Sequence, residues 1–535
     1  MLFRSLWGGQ RGAAFYAGSG YNAVSLSTMI GSANIGLAFN ASDSNTVTQC
    51  SLWGGVDGAY LSNGSDYNAI SLSTAIGGSN SGHYSFGSDS NTVTLSYLSG
   101  GAYGAWLDSG ADYNVISLST MIGGSSFGLY VNAADANAVT QGYMRGGTYG
   151  VWMQNGSDRN TISLSTMIGA GQAGFYAGGS DSNTVTRSYM SGGLNGAQLT
   201  AGADFNTVSL STMVSSSVGN AALYILQSSS NTILDSYVQG STAALISGST
   251  GTVIGGSIFV ATGTAGSALA FAGGSVNLTI ATSTLLAPSL GRGLALNPGN
   301  AGVVSIGSVT FTGAARGIEV STQGALFSLA VDSITFRALA PGATAIHFLG
   351  GSFVATFTLA NFEDASVAVN VSGAALALTS RLTMNAHYGL RTSPKYENDP
   401  NLLVDWRGAA PYPGCVLTHN VGLDQAYASI TEAVADLPAS LPGHTCVVIR
   451  DSATYPEQVT VRNFSNNGSS ITFLSDPALL LRPVVAPPAL STAAFLIANA
   501  SVNIQGISVV IGQEDRKSTR LNSSHIQKSR MPSSA

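Results

Sequence analysis

The chain has 535 residues, 44% of them apolar and only 9% charged, with a formal charge of −6. Apolar content this high in a periodic pattern excludes a disordered tail, and the acidic balance excludes a nucleic-acid binder. No apolar run is long and unbroken enough for a membrane-spanning helix. The chain divides into residues 1–5, 6–245, 246–408, 409–514 and 515–535.

The two ends are expected to be foreign to the protein. Residues 515–535 turn abruptly basic, and 515–525 back-translate to a sequence that resembles a common short-read sequencing adapter. Residues 1–5 back-translate to the opposite adapter. Without Arg4 and a tail of five basic residues and one acidic, the formal charge moves from −6 to −11. The true termini, with any signal peptide or anchor, are expected to lie beyond this sequence.

Residues 6–245 are a repeat array. An Asp-x-Asn triplet recurs with its asparagine at Asn45, Asn68, Asn91, Asn114, Asn137, Asn160, Asn183 and Asn206, each 23 residues after the last. Asn22 extends the series backwards, with Gly20 in place of the aspartate. Two types alternate, YNVISLSTMIGG from Tyr113 and SNTVTLSYLSGG from Ser90, so the duplicated unit is two coils. Apolar residues two and four places after Asn (Val93 and Leu95; Ile116 and Leu118) alternate with Thr or Ser, which predicts a strand with both apolar residues inward. A second apolar patch follows a Gly pair, as at Ala105, Trp106 and Leu107. One unit is too short to bury a core alone, whereas stacked copies pair each strand with its equivalent one coil away. Asn suits the bend because it tolerates left-handed backbone and bonds locally, and its amides can bond along the stack. Period and ladder resemble the right-handed parallel β-helix repeats of the pectin-lyase-like superfamily. The expected fold is all-β: a right-handed parallel β-helix of 23-residue coils. A β-propeller is the alternative, since the 46-residue double repeat approaches blade length.

Several rows of the array carry candidate function. Asp43, Asp66, Asp89, Asp112, Asp135, Asp158, Asp181 and Asp204 should line one edge, where carboxylates about 5 Å apart repel by about 1 kcal/mol in water. Either each Asp accepts backbone N–H groups at its turn, or calcium bridges the row, with Asp66, Asp89, Asp112, Asp135, Asp158 and Asp181 as ligands. Thr46-x-Thr48, Thr92-x-Thr94 and Thr184-x-Thr186 resemble the flat Thr faces of ice-binding β-helices, but alternate coils carry Ala69 and Ser71 or Val115 and Ser117. Trp53, Tyr60, Trp106 and Trp152 are candidates for stacking on sugar rings, or for packing.

In residues 246–408 the Asn register breaks, yet Val253-Ile254, Val304-Ser305-Ile306, Ile318-Glu319-Val320 and Val367-Ala368-Val369 read as strands of looser coils. Charges are sparse: Arg292, Arg316, Asp332, Arg337, Glu363, Asp364, Arg381, His387 and Arg391. Polysaccharide lyases of the superfamily use an Arg or Lys base beside a carboxylate-bound calcium, and its hydrolases use clustered aspartates; spacing shows neither here. Residues 395–400 (KYENDP) read as a loop, and 402–406 as the last strand.

Pro411, Pro413 and Gly414 mark a linker. Residues 427–437 then read as a short amphipathic helix with a Ser429/Glu432 capping box, stopped by Pro438. Strands follow at 446–450, 458–461 and 470–474. This order is similar to the opening of pectinesterase-like β-helices, with Ile430, Ala433 and Val434 matching the capping helix and Tyr455 and Glu457 a G-x-Y-x-E turn whose glycine is Ala453. The resemblance implies a second β-helix, truncated, and carries over no catalytic residue. Cys415 and Cys446 flank the helix and, joined as a disulfide, would pin it, as suits an exported protein. Cys50 is alone in the array and is expected to pack as a small apolar residue. Cysteines and histidines show no metal-ligand spacing.

No catalytic constellation or cofactor emerges. The reading that follows is a secreted or cell-surface stalk or adhesin-like bacterial fragment, with a polysaccharide or cell-surface glycan as its partner. A carbohydrate-active enzyme with its site in the middle region or in missing sequence is the second reading, and an ice-binding surface the third.

Overall fold

The computed structural model describes residues 5–510, except 324–326, 351–352, 363–364, 372–380, 385–386, 389–395, 398–402, 407–411, 413, 424, 426, 466–467 and 478. Residues 1–4 and 515–535, Glu363, Asp364 and Arg391 therefore lie outside the described residues. The chain forms two units, 1–407 and 408–535.

Each coil of the regular array carries three strands, whereas in the looser coils Ser328–Arg337 and Val354–Phe362 each run through the first two positions. In the coil of Asn91 the three are Thr92–Thr94, Tyr97–Gly100 and Tyr103–Asp108. Each pairs in parallel with its equivalent one coil on, so that Val93 is in register with Ile116, Leu98 with Met121 and Trp106 with Tyr130. The third strands form one ladder of 17 among the described residues. The result is a right-handed parallel β-solenoid. Val93, Leu98, Ala105 and Leu107 are buried inside one coil, and Ile116, Met121, Leu129 and Val131 inside the next. Burying one such Leu or Met stabilises by about 1.5–3 kcal/mol, but only because the neighbouring coils close over it. Gly104 lets the second and third strands approach: a Cβ there would sit 2.5 Å from the backbone nitrogen of Ile122.

The asparagines form a buried ladder. The backbone N–H of each donates to Oδ1 of the next, at 2.8 Å from Asn68 to Asn91 and from Asn91 to Asn114. Asn231 continues the row, 2.8 Å from the Asn206 nitrogen, although it lies 25 residues on. In alternate coils (Asn68, Asn114, Asn160, Asn206) the Nδ2 group also reaches a backbone carbonyl at 3.0 Å. Those of Asn91, Asn137 and Asn183 have no acceptor, so the two-coil alternation extends to the hydrogen bonding. A second buried row, of serines interrupted at Gly142, lies five residues after the Asn: Ser96 N–H donates to Ser119 Oγ at 3.1 Å. Cys50 stands in this serine row, and its thiol donates to the Thr48 carbonyl at 3.2 Å.

The structure corrects four local readings. The left-handed residue of the turn is the middle one, with φ 55° at both Tyr67 and Ser90, while the Asn is not left-handed. Buried amides that bond the next coil explain the Asn, not backbone tolerance. The apolar residue four places after Asn is not in the core: Leu95 and Leu118 are 51% and 46% exposed, at left-handed corners with φ 50° and 49°. The chain turns there, which ends the strand alternation. A middle strand, such as Thr120–Gly123, follows that corner, where the alternation alone marks no separate strand. Finally, within 395–400 Tyr396–Glu397 is a strand, paired with Val369 and Asn370.

The looser coils keep the ladder, with strands Ala301–Gly307, Arg316–Val320 and Val367–Val371, and Leu403–Trp406 pairs with Arg381–Met384. In the second unit every paired strand is also parallel, in sheets of four, three and two strands among the described residues. Its helix, Ile430–Ala435, is shorter than the sequence suggested. Ser429 and Glu432 form the capping box, and Ile430, Ala433 and Val434 are its buried face. Glu457 completes the cap, accepting from the Ile430 and Thr431 nitrogens at 2.8 Å each. Tyr455 donates to Asp451 at 2.7 Å. Those bonds give the Tyr and Glu of the turn a structural task. Cys415 and Cys446 are joined as a disulfide.

Candidate functional site

In-register stacking turns one outward position of the third strand into a ribbon. The row runs Tyr60, Tyr84, Trp106, Tyr130, Trp152, Tyr176 and Gln198. Tyr103, Phe127 and Tyr149 form a second column beside it. All these rings are half-buried. Coils spaced about 4.8 Å apart bring neighbouring rings into contact: Tyr84 stacks on Trp106 with centroids 4.4 Å apart and planes 15° apart, and Trp106 on Tyr130 at 5.3 Å and 28°. Farther along the rings tilt, with Trp152 and Tyr176 at 5.0 Å and 59°. From Tyr60 to Tyr176 the row spans five coil steps, about 24 Å.

Polar groups edge the ribbon. Tyr84 donates to Asp108 at 2.9 Å, and Asn132 donates to the other oxygen of Asp108 at 2.7 Å. Gln154 bonds the Tyr130 hydroxyl, and Thr200 donates to that of Tyr176 at 3.0 Å. Burial, then the bond to Asp108 and its charge, raise the Tyr84 phenol. Burial also raises Tyr103, Tyr130 and Tyr149. Asp57 accepts from Asn80 at 2.9 Å and from the Ser81 nitrogen at 3.0 Å; burial raises it against those bonds. The indole N–H groups of Trp106 and Trp152 are buried without an acceptor. Of the four aromatics singled out in the sequence, Tyr60, Trp106 and Trp152 join the ribbon, and Trp53 stands exposed on the second-strand face.

The aspartate row forms a chain of hydrogen bonds running opposite to that of the asparagines. Oδ1 of Asp66, Asp89, Asp112, Asp135 and Asp158 accepts the backbone N–H of the next Asp, at 2.7 to 2.9 Å, and Asp181 does the same for Asp204 at 2.7 Å. Arg159 pairs with Asp135 at 2.8 Å. Among the described residues the one convergent group of metal-type ligands is Cys415, His444 and Cys446, whose two sulfurs are bonded to each other. The Thr columns are interrupted by Ala69 and Val115, and Ser71 and Ser117 donate to Thr48 and Thr94 at 3.1 and 2.9 Å.

Farther along the same ladder the structure assembles a charged group that spacing did not show. Arg292 stacks in register on Arg316, and Glu319 on His347. Glu319 is buried and accepts from Arg292 at 2.9 Å, Arg316 at 3.0 Å and His347 at 3.4 Å. Burial would raise its carboxyl; the bonds from His347 and Arg292 and the charges of both arginines outweigh that and hold it at about 2. Glu319 is thus a fixed anion at neutral pH.

A family model described as the right handed beta helix region matches residues 35–190. The strand pairing makes the first unit a parallel β-helix of repeated coils, and the matched residues lie within it. No curated protein matches it. Among solved structures, it is similar to an alginate lyase from Paenibacillus sp. str. FPU-7, at 15% identity over 68% of this chain and 92% of that one, with a TM-score of 0.18. It is similar to the PL6 family alginate lyase AlyGC at 9% identity, over 95% and 97%, with a TM-score of 0.18. The tailspike protein of E. coli bacteriophage HK620 follows at 10% identity, over 92% and 74%, with a TM-score of 0.11. Likeness at this level carries no argument about the fold, site or activity of this chain. Among the described residues no helix is long and apolar enough to cross a membrane.

Proposed function

We propose that the chain is a secreted or surface-displayed β-helix stalk, an adhesin-like protein that binds glycan along its third-strand ladder. The observation that carries this reading is the ribbon from Tyr60 to Tyr176. Aromatic rings in a row, edged by Asp108, Asn132, Gln154 and phenol hydroxyls, offer apolar surface to sugar C–H groups and hydrogen bonds to sugar hydroxyls. The disulfide in the second unit suits an oxidising compartment, and the parallel sheets there suit the opening coils of another solenoid.

Glu319 favours a second reading, a carbohydrate-active enzyme, because it places a buried carboxylate beside His347 and two arginines on the same ladder. Its low pKa makes it a poor proton donor, which is why binding without catalysis is preferred. Ice binding is the weakest of the three, since Ala and Val break the Thr columns and the remaining hydroxyls bond each other.

The test is a glycan-array screen of the full chain, run beside a reducing-end release assay on acidic and neutral polysaccharides. Binding without release supports the proposal. New reducing ends overturn it in favour of the enzyme.

A further inference from the structure

The first strands and their two corners make one face of the first unit. Four rows cross it; in the coil of Asn91 they pass through Ser90, Thr92, Thr94 and Leu95. Along the axis the corner row reads Leu26, Gln49, Leu72, Leu95, Leu118, Gln141, Leu164, the same in both directions from Leu95. The leucines of this row stand about half exposed. The row at the other corner reads Tyr21, Ser44, Tyr67, Ser90, Tyr113, Ala136, symmetric for one coil either side of Ser90 with Ser44 then set against Ala136, and its tyrosines are exposed. From the coil of Asn22 to that of Asn137 no charged residue stands on these four rows.

We infer that this face docks a second copy of the chain, antiparallel, about a two-fold axis through Leu95. Two things choose that occupant. A partner must repeat at the coil spacing of about 4.8 Å and must carry the same palindrome. A second copy has both by construction, and the two-fold sets leucine against leucine and glutamine against glutamine. The face is also prepared for burial. Ser71, Ser117 and Ser163 donate to Thr48, Thr94 and Thr140 at 2.9 to 3.1 Å, so these hydroxyls keep partners when water leaves.

The size fits as well. Six coil steps, the last of which reaches the coil of Asn160 with Arg159 at its Tyr corner, by five residues give about 29 Å by about 16 Å, or about 470 Å² in plan per copy. Two copies bury more than twice that over standing side chains, which reaches the roughly 1,000 Å² a specific interface needs. The aspartate row borders the Tyr corner, so the two-fold also brings like charges near each other at the rim, and salt should tighten the dimer.

Sedimentation velocity of the full chain, from micromolar to about a hundred micromolar, tests this. The expected result is a concentration-dependent dimer, tighter in higher salt. The triple variant Leu72→Gln, Leu95→Gln, Leu118→Gln borrows the residue the row already carries at Gln49 and Gln141, and should weaken association at least tenfold with an unchanged circular dichroism spectrum. If that variant misfolds, Leu95→Cys decides: on the axis it should cross-link to its own copy on oxidation, while Leu210→Cys, in the same row beyond the palindrome, should not. A chain that stays monomeric, a dimer indifferent to the three leucines, or equal cross-linking at both positions overturns the inference.

Discussion

His83 should make the array acid-sensitive at one point. It is buried inside the coil, in register with Ala59 and Ala105, where its neighbours in the row are apolar. One ring nitrogen lies 3.0 Å from Ser85 Oγ and Nδ1 has no partner. Burial depresses its pKa from 6.5 to about 4. In the unfolded chain the imidazole takes its proton near 6.5, whereas in the fold it stays neutral down to about 4. Between those values the unfolded state binds more protons, so stability falls as pH falls, by about 1.4 kcal/mol per unit and about 3 kcal/mol in all. From pH 7 to pH 5 the loss is about 2 kcal/mol, or roughly thirtyfold in local opening. A long solenoid opens coil by coil, so the assay is hydrogen exchange of the strands Ser81–Phe86 and Tyr103–Asp108, read as the difference between wild type and His83→Leu at each pH. That difference should move by roughly thirtyfold between pH 7 and pH 5. Parallel pH dependence in the two proteins would refute the reasoning.

The corner assignment separates two residues that sequence alternation treats alike. Ile116→Asn should cost about 3 kcal/mol or more by placing an amide in the core, whereas Leu118→Asn should be neutral or stabilising by up to about 1 kcal/mol at its left-handed corner; equal losses on urea unfolding would restore both to the core. Reducing the Cys415–Cys446 disulfide opens a loop of 31 residues and should destabilise the second unit by about 3–4 kcal/mol, seen as earlier proteolysis there, with the array unchanged. Glu319, whose carboxyl falls from 4.5 to about 2 on folding, contributes stability above about pH 4.5 that is lost as pH drops towards 2. Glu319→Gln should remove that dependence and lower neutral-pH stability by no more than about 3 kcal/mol, as the arginines are partly solvated. Calcium, if it bridges the aspartate row, should raise Tm; because backbone N–H groups already occupy Oδ1 of each carboxylate, we expect calcium followed by chelator to leave Tm unchanged.

The array was legible because each coil makes the same demand on the same position. A buried asparagine bonding the next coil leaves a strict period of 23, which the sequence displays directly. The corners were harder. Leu95 continues the apolar alternation from Val93, and only its backbone, at φ 50°, shows that the chain has turned outward. The serine row was invisible because Ser96 and Ser119 look like surface residues until their hydroxyls are seen to bond the coil before. Asn231 falls out of the 23-residue period because two extra residues stretch its spacing to 25. The charged group of the middle region failed for the same reason on a larger scale. Arg292 meets Glu319 across 27 residues and Glu319 meets His347 across 28, so no fixed period aligns them. The aromatic ribbon was half legible: Tyr60, Trp106 and Trp152 stand out as aromatics of the array, but their union with Tyr84, Tyr130 and Tyr176 depends on the register of the third strand.

The central claim is that the ribbon binds a glycan chain lengthwise. The most direct measurement is calorimetric titration of the full chain with oligosaccharides of increasing length from a glycan that it retains on the array. Affinity should rise with length until the ligand spans about 24 Å and then level off, and Trp106→Ala and Trp152→Ala should each weaken the long ligand by about tenfold or more. Affinity that ignores both ligand length and the two tryptophans would contradict the account.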